Sequence, residues 1–176
     1  MNIKAKIGGS KARTNGQQFE QLIDWECQKY ESCGAAKIEK TPEPMKPLRP
    51  ANRQGHFLAC YTKQAQPDYK GTIRGGKAVI FEAKHTDATR IEQSRVTEEQ
   101  MAALLEHEKL GAECFILVSF GFKNFYRVPV KHWAQMKDIY KKISVNEKDL
   151  APFLLRRINF LGKTADGNSK IGRAHV

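Results

Sequence analysis

The run CFILVSF, from Cys114 to Phe120, is the feature that most limits how this chain can fold. It is apolar at nearly every position, which is typical of a strand that is buried on both faces. A helix is predicted just before it, because TEEQ at 97–100 has the form of a capping box and Gly111 supplies a stop. A strand over 77–84 precedes that helix. Strand, helix and buried strand form a right-handed crossover, so the sequence predicts parallel pairing inside a mixed sheet.

The segments around this crossover fit a single domain spanning residues 1–176. Apolar residues at three-to-four spacing predict a helix that begins at a Thr14 or Asn15 cap and ends at Gly34. The turn RGG at 74–76 is expected to join two strands into a hairpin. The other predicted segments are a flexible basic leader (1–13), strands over 56–62, 69–73 and 124–130, a helix over 132–143, and a loose tail (163–176).

The charge balance indicates a polyanionic partner. Thirty Lys and Arg residues against nineteen Asp and Glu residues give a net charge of +11, and the isoelectric point is near 9.6. This surplus favours nucleic acid over a membrane surface, because no basic amphipathic helix stands out. The alternative is a basic protein without a particular polyanionic ligand. No uncharged apolar run approaches the length of a membrane span, and the start of the chain does not resemble a secretory signal.

A proline-rich basic segment interrupts the regular pattern. Four of the seven prolines fall within residues 40–55, which excludes a regular helix or a central strand. We expect a stalk-like excursion over 40–61, in which Lys46, Arg49 and Arg53 contact DNA. The alternative is a solvated connecting loop.

The four cysteines contain no CxxC pair, and the histidines share no ligand spacing. The sequence therefore excludes a disulfide framework and a zinc knuckle, and it predicts a reduced, cytoplasmic protein.

The residues with the clearest chemical meaning are Asp68, Glu82 and Lys84. Glu82 and Lys84 are two apart on a predicted strand and share a face, and folding the hairpin brings Asp68 beside Glu82. Two carboxylates near an ammonium group suit Mg²⁺, which binds carboxylate oxygens together with waters and a substrate phosphate. Such a cation activates water and stabilises phosphoryl charge, so the cluster predicts phosphodiester hydrolysis. The alternative is an exposed salt bridge worth about 0–1 kcal/mol.

A competing motif overlaps the same strands. GTIRGGK at 71–77 satisfies the pattern of a phosphate-binding loop. That loop requires Ser or Thr next and a helix to follow. Ala78 and a strand follow here, so the sequence excludes this nucleotide site.

Taken together, GTIRGGKAVIFEAKHT, the helix near Gln100 and CFILVSF resemble the RecU group of Holliday junction resolvases, within the PD-(D/E)xK nuclease superfamily. The resemblance covers roughly residues 13–160. It extends to residues 16–23, which are similar to the Arg-Gly-x-x-x-Glu helix of the family, and to KIEKTPEPMKPL, which resembles the approach to its stalk.

The resemblance implies a role for each matching residue. Asp68 and Glu82 would bind Mg²⁺, with Mn²⁺ as a substitute, and Lys84 would stabilise the transition state. Gln100 would add a metal ligand or hold its water, and Glu20, at the acidic position of the family helix, would be a further catalytic residue. Two positions depart from the family pattern: Gln66 replaces a threonine before the aspartate, and Asn15 replaces an arginine whose DNA contact Arg13 would take over.

The expected fold is therefore α/β, with a restriction-endonuclease-like core, a mixed central sheet flanked by helices, and a protruding basic stalk. The expected function is Mg²⁺-dependent resolution of four-way junctions in DNA recombination and repair. The alternatives are a related nuclease with another DNA substrate and a non-catalytic junction-binding protein.

The expected partners are branched DNA, recombination proteins and a second copy of the chain. Symmetric cutting of a junction needs two active sites, and one chain holds one set of site residues, so a two-fold homodimer is expected. Phe122, Phe125 and Phe160 are the candidate interface residues. His85 is expected on the strand face opposite Lys84, as a surface group.

Overall fold

The computed structural model describes residues 3–42, 44–50, 52–61, 66–156 and 158–161. Its helices are α1 (Ile3–Ser32), α2 (Glu98–Lys109), α3 (Val130–Ala134) and α4 (Met136–Tyr140). Its strands are β1 (Ala36–Lys40), β2 (Met45–Pro47), β3 (Ala59–Tyr61), β4 (Tyr69–Ile73), β5 (Ala78–Thr86), β6 (Arg90–Glu92), β7 (Glu113–Phe120), β8 (Asn124–Pro129), β9 (Ser144–Asn146) and β10 (Leu154–Leu155). Two short 3-10 helices cover Gln93–Arg95 and Ala151–Phe153.

A mixed six-stranded sheet forms the centre of the fold, in the order β1-β4-β5-β7-β8-β10. β5 and β7 pair in parallel from Val79 opposite Glu113 to Thr86 opposite Phe120, and α2 connects them. The other neighbouring strands of this sheet pair antiparallel. The predicted parallel pairing through a connecting helix is confirmed, as are the β4–β5 hairpin and the Thr97 capping box that begins α2.

The central sheet separates two apolar cores. On one face, α1 packs buried side chains such as Phe19 against residues of the strands, including Phe81 and Phe115. On the other face, α2, α3 and α4 cover a second set that includes Ile116 and Trp133. β7 contributes to both cores, so the expectation that CFILVSF is buried on both faces is correct. No helix within the described residues is both long and apolar enough to cross a membrane.

Two helix predictions need correction. α1 begins at Ile3 and not at a Thr14 or Asn15 cap, so the described part of the expected flexible leader is helical. Ala, Lys and Arg are frequent in this stretch and are strong helix formers, and they allow the helix to extend past the polar pair. The helix predicted over 132–143 is instead the pair α3 and α4, which meet at Gln135.

The proline-rich segment forms a separate hairpin. β2 and β3 pair antiparallel, with Lys46 opposite Cys60, and neither strand joins the central sheet. The strand predicted over 56–62 is shorter than expected, because Phe57 and Leu58 lie before β3 and are exposed. The backbone N–H of Leu48 donates to the Leu58 carbonyl at 2.7 Å and continues the ladder towards the tip. The predicted stalk-like excursion is thus a short two-stranded hairpin, called the stalk below (44–50 and 52–61).

Gly71 holds β1 close to β4, and we expect its replacement by alanine to destabilise the fold. A Cβ atom at this position would lie 2.2 Å from the Lys37 carbonyl oxygen and 2.6 Å from Ile38 Cα, both backbone atoms of β1. Overpacking of this kind costs about 1–3 kcal/mol. We expect Gly71→Ala to lower the free energy of unfolding by that amount or more in a denaturant titration.

Gly16→Ala is the matched control, because no atom lies within 4 Å of a Cβ at that position in α1. Alanine is favoured over glycine in a helix by roughly 1 kcal/mol, so this variant should unfold at equal or higher denaturant concentration. Equal stability of Gly71→Ala and the wild type would contradict the described approach of β1 to β4.

Candidate active site

The β4–β5 hairpin brings Asp68 to the side of β5. Asp68 directly precedes β4, and the first residue of β4, Tyr69, is paired with Phe81. The Ala83 backbone N–H donates to Asp68 Oδ2 at 2.9 Å, which fixes the carboxylate between Glu82 and Lys84. The hairpin therefore gathers the three residues that the sequence singled out.

Lys84 contacts both carboxylates of this cluster. Its Nζ lies 2.8 Å from Glu82 Oε2 and 3.7 Å from Asp68 Oδ2. The Glu82 side chain is 0% exposed, and those of Lys84 and Asp68 are 14% and 29% exposed. The alternative of an exposed salt bridge is therefore wrong, because the Glu82 carboxylate that pairs with Lys84 is fully buried.

Glu82 lies in an unusual environment for a carboxylate. Burial raises its pKa to about 8; the Lys84 ammonium opposes this shift, and the Asp68 carboxylate adds to it. One oxygen, Oε1, is buried without a hydrogen-bond partner among the described residues. A buried and unsatisfied carboxylate oxygen is costly, so the site fits a positive ligand that would neutralise this charge.

Gln100 on α2 holds Glu82 from the other side. Its Nε2 donates to Glu82 Oε2 at 2.8 Å, while its Oε1 accepts from the Thr97 backbone N–H at 3.1 Å in the capping box. The side-chain oxygen, which is the atom that a metal ion would need, is thus engaged in the helix cap. Gln100 meets the cluster as a hydrogen-bond donor, and the expected direct ligation by Gln100 does not fit this arrangement.

Glu20 lies apart from the cluster, towards α1. Its Oε2 accepts from Lys40 Nζ at 2.7 Å, and Lys40 is also within electrostatic range of Asp68. The Tyr69 hydroxyl group contacts the Glu20 carbonyl at 3.3 Å and donates to Asp24 Oδ1 at 3.0 Å. The structure thus links Glu20 to the site through Lys40, a residue that the sequence analysis did not single out.

The predicted DNA-binding residues are exposed, and no described contact joins them to the carboxylates. Arg13 is on α1, and Lys46, Arg49 and Arg53 are on the stalk. Gln66, which replaces the threonine of the family, accepts from Lys70 Nζ at 3.4 Å. Within the described residues, no three Asp, Glu, His or Cys side chains group closely enough to form a metal cluster by themselves.

The expectation that His85 is a surface group was wrong. Its side chain is only 5% exposed and stacks on Phe122, with 4.1 Å between the ring centroids. Its ring nitrogens lie 3.2 Å from Ser119 Oγ and 3.2 Å from Asp87 Oδ1, and Asp87 Oδ2 accepts from Asn15 Nδ2 at 2.7 Å. His85 faces away from Lys84 as expected, but α1 and the β7–β8 turn cover that face. This network ties β5 to the helix that carries Glu20.

The three interface candidates belong to the apolar core of the chain itself. Phe160 is 1% exposed and packs against Tyr30 and Phe81. Phe125 stacks on Phe19, with ring centroids 6.0 Å apart, and Phe122 packs against the same core. Phe160 is therefore too deeply buried to serve as a dimer contact, whereas Phe122 and Phe125 are only partly buried and stay candidates.

Comparisons with known proteins agree with this geometry. The Recombination protein U family matches residues 14–156. The Holliday junction resolvase RecU of Bacillus pumilus is 30% identical over 135 residues, covering 73% of this chain and 65% of that protein. The corresponding protein of Streptococcus gordonii is 31% identical over 135 residues, covering 72% of this chain and 66% of that protein. The chain thus spans just under two thirds of the length of these relatives.

A solved structure supports the fold class. The Archaeoglobus fulgidus protein Hjc, a Holliday junction resolvase, superimposes with a TM-score of 0.50 over 82% of this chain and 97% of its own. Its sequence is 16% identical, so the likeness concerns the fold. Together with the mixed sheet and its flanking helices, it confirms the expected restriction-endonuclease-like core.

Proposed function

This chain belongs to the RecU family, and from that premise we propose that it is a metal-dependent endonuclease that resolves four-way DNA junctions in recombination and repair. The observation that carries the proposal is the buried group of Asp68, Glu82 and Lys84 at the β4–β5 hairpin. The net charge of +11 and the similarity to Holliday junction resolvases support DNA as the substrate. Two alternatives must be distinguished from this function by experiment. They are a nuclease with another DNA substrate and a non-catalytic protein that binds junctions.

Asp68 and Glu82 are the residues that would hold a divalent cation, Mg²⁺ or Mn²⁺. The unpaired Glu82 Oε1 and the partly exposed Asp68 carboxylate supply oxygen donors. One or two carboxylates, completed by waters and a substrate phosphate, are a common protein complement for Mg²⁺. The chemistry that such a cation supplies is stabilisation of negative charge on the phosphodiester oxygens.

The chain's own groups act around this position. The Lys84 ammonium stabilises charge that develops on the phosphoryl group during attack by water. Gln100 fixes the orientation of Glu82 through the 2.8 Å hydrogen bond, and we assign it this positioning role in place of metal ligation. Glu20 accepts a hydrogen bond from Lys40 and so holds the Lys40 ammonium group within electrostatic range of Asp68.

The test of this function compares substrates and metal conditions. A synthetic four-way junction, a linear duplex and a flap of matched sequence are incubated with the protein in Mg²⁺ and in EDTA. We expect cleavage of the junction in Mg²⁺, little cleavage of the duplex, and none in EDTA. Preferential cleavage of the flap or the duplex would favour the related-nuclease alternative, and binding without cleavage would favour a non-catalytic protein.

We further propose that the stalk contacts the junction through its exposed cations. Replacing Lys46, Arg49 and Arg53 together with alanine should weaken junction binding. It should also reduce the slope of log affinity against log salt by about 2.7, since each phosphate contact contributes about 0.9. Lys29, Lys77 and Lys109, exposed at the opposite end of the sheet, form the matched control triple. An unchanged slope in the stalk variant would show that the stalk does not contact phosphates and serves only as a connecting segment.

A two-fold homodimer is part of the same proposal, because resolution needs symmetric cuts in two strands and each chain holds one active site. Light scattering at micromolar concentration should give twice the 20.0 kDa chain mass. Mixing the wild type with an inactive variant should produce junctions that are nicked but not resolved. A protein that stays monomeric on junction DNA would contradict this assembly.

We propose that the protein acts in the cytoplasm, where its DNA substrate and recombination proteins meet. The four cysteines support this location, because Cys27, Cys33, Cys60 and Cys114 are all free thiols.

A further inference from the structure

Arg95 lies beside the candidate active site. It ends the 3-10 helix Gln93–Arg95, is exposed, and donates from Nη2 to the His85 carbonyl oxygen at 3.4 Å. His85 follows Lys84 in β5, so the guanidinium group lies next to the residue after the active-site lysine. The helix that follows Arg95 is α2, whose Gln100 contacts Glu82. Arg95 is therefore adjacent to the carboxylate cluster on the α2 side.

Other arginines near the sheet are engaged in structural contacts. Arg74 donates to the Gly34 and Cys33 carbonyls at 3.0 and 2.9 Å. Arg90 binds both the hydroxyl group and the carbonyl of Ser144. Arg127 pairs with Glu113 and lies over the Phe115 ring, 4.3 Å from its centroid. Each of these three groups has two partners that fix the guanidinium plane inside the fold.

Arg95 differs from these three arginines, because it lacks a second described partner that would fix its guanidinium plane. Its one described hydrogen bond is long, and no carboxylate in the described part of the chain lies within ion-pair distance of it. An exposed guanidinium group with most of its donors unused can bind a phosphate group through two parallel hydrogen bonds. Its contact with the residue after Lys84 places such a phosphate site next to the candidate active site.

We propose that Arg95 binds the phosphate adjacent to the scissile phosphodiester and so sets the position of the DNA strand over the Asp68–Glu82–Lys84 cluster. This inference rests on the nuclease function proposed above and adds a contact on the α2 side of the site. The predicted DNA contacts Arg13, Lys46, Arg49 and Arg53 lie on α1 and the stalk. Arg95 would anchor the strand where it passes α2.

Two substitutions separate a phosphate contact from a structural one. Arg95→Gln keeps a donor for the His85 carbonyl but removes the charge, whereas Arg95→Lys keeps the charge. Binding to the four-way junction is measured in EDTA over a range of salt concentrations. We expect Arg95→Gln to weaken binding and to reduce the log–log salt slope by about 0.9, and Arg95→Lys to retain the wild-type slope. Arg156→Gln is the matched control, because Arg156 is exposed and directly follows the edge strand β10.

A wild-type slope in Arg95→Gln would overturn the proposal, and so would an equal loss in Arg95→Lys and Arg95→Gln, which indicates a structural role. Cleavage of the same junction by the wild type in Mg²⁺ is measured in parallel. Absence of that cleavage would overturn the proposed nuclease function itself. Cleavage together with an unchanged Arg95→Gln slope would overturn only the role of Arg95.

Discussion

Replacing Lys84 with alanine is expected to reduce junction cleavage by at least about 10²-fold while leaving junction binding nearly unchanged. Removal of one preorganised enzyme group that stabilises the transition state typically lowers the rate by a factor of about 10²–10³. Binding is carried by exposed cations elsewhere, so the affinity should change little. Single-turnover cleavage at saturating protein and binding in EDTA measure the two quantities separately.

The fold should tolerate the loss of Lys84, because Glu82 can stay protonated, and therefore neutral, when the ammonium group is removed. Its pKa is already raised to about 8 by burial. Lys77→Ala is the matched control, since Lys77 lies on the same hairpin, is half exposed and pairs with Glu113 at 3.5 Å. Cleavage by Lys84→Ala at the rate of Lys77→Ala would remove Lys84 from the active site.

Asp68→Asn is expected to abolish cleavage without unfolding the protein. The amide oxygen of asparagine can still accept the hydrogen bond from the Ala83 backbone N–H, which is 2.9 Å long in the wild type. The substitution removes the negative charge that a divalent cation requires. We therefore expect cleavage to fall below detection, and we expect Mg²⁺ to raise the melting temperature of the wild type but not that of the variant.

Asp149→Asn provides the control for this variant. Asp149 Oδ2 also accepts a backbone N–H, that of Asn146 at 3.0 Å, and Asp149 lies outside the proposed site. It should keep wild-type cleavage and the wild-type response of the melting temperature to Mg²⁺. A full Mg²⁺ response in Asp68→Asn would show that the cation binds elsewhere.

Much of the central fold could be predicted because it is encoded by local patterns. The apolar run at 114–120 predicts burial on both faces, and RGG predicts the hairpin turn that places Asp68 beside Glu82. The capping box at Thr97 likewise depends on residues three apart in sequence. Each of these signals is short in range, so a single sequence is enough to identify it.

The parts that escaped prediction depend on contacts between distant segments. Alternation along β5 gives the face of His85 but not the fact that Phe122 and α1 cover that face. Phe160 looks available in sequence, yet the α1 side of the core buries it, and Phe122 and Phe125 are partly buried against the same core.

The same limit applies to the active-site cluster. The double engagement of Gln100, with its oxygen in the helix cap and its amide nitrogen on Glu82, is fixed by how α2 lies on the sheet. The Lys40–Glu20 pair joins β1 to α1 across 20 positions. No periodicity in the sequence encodes either contact.

We propose that this chain resolves four-way junctions with the Asp68–Glu82–Lys84 cluster. The most direct measurement uses a supercoiled plasmid that extrudes a cruciform, incubated with the wild type or Lys84→Ala in Mg²⁺. Paired symmetric cuts convert the plasmid to a linear form, whereas a single cut gives a relaxed circle. We expect linear plasmid from the wild type and uncut plasmid from Lys84→Ala. Relaxed circles alone, no cutting by the wild type, or linear product from Lys84→Ala would contradict the proposal.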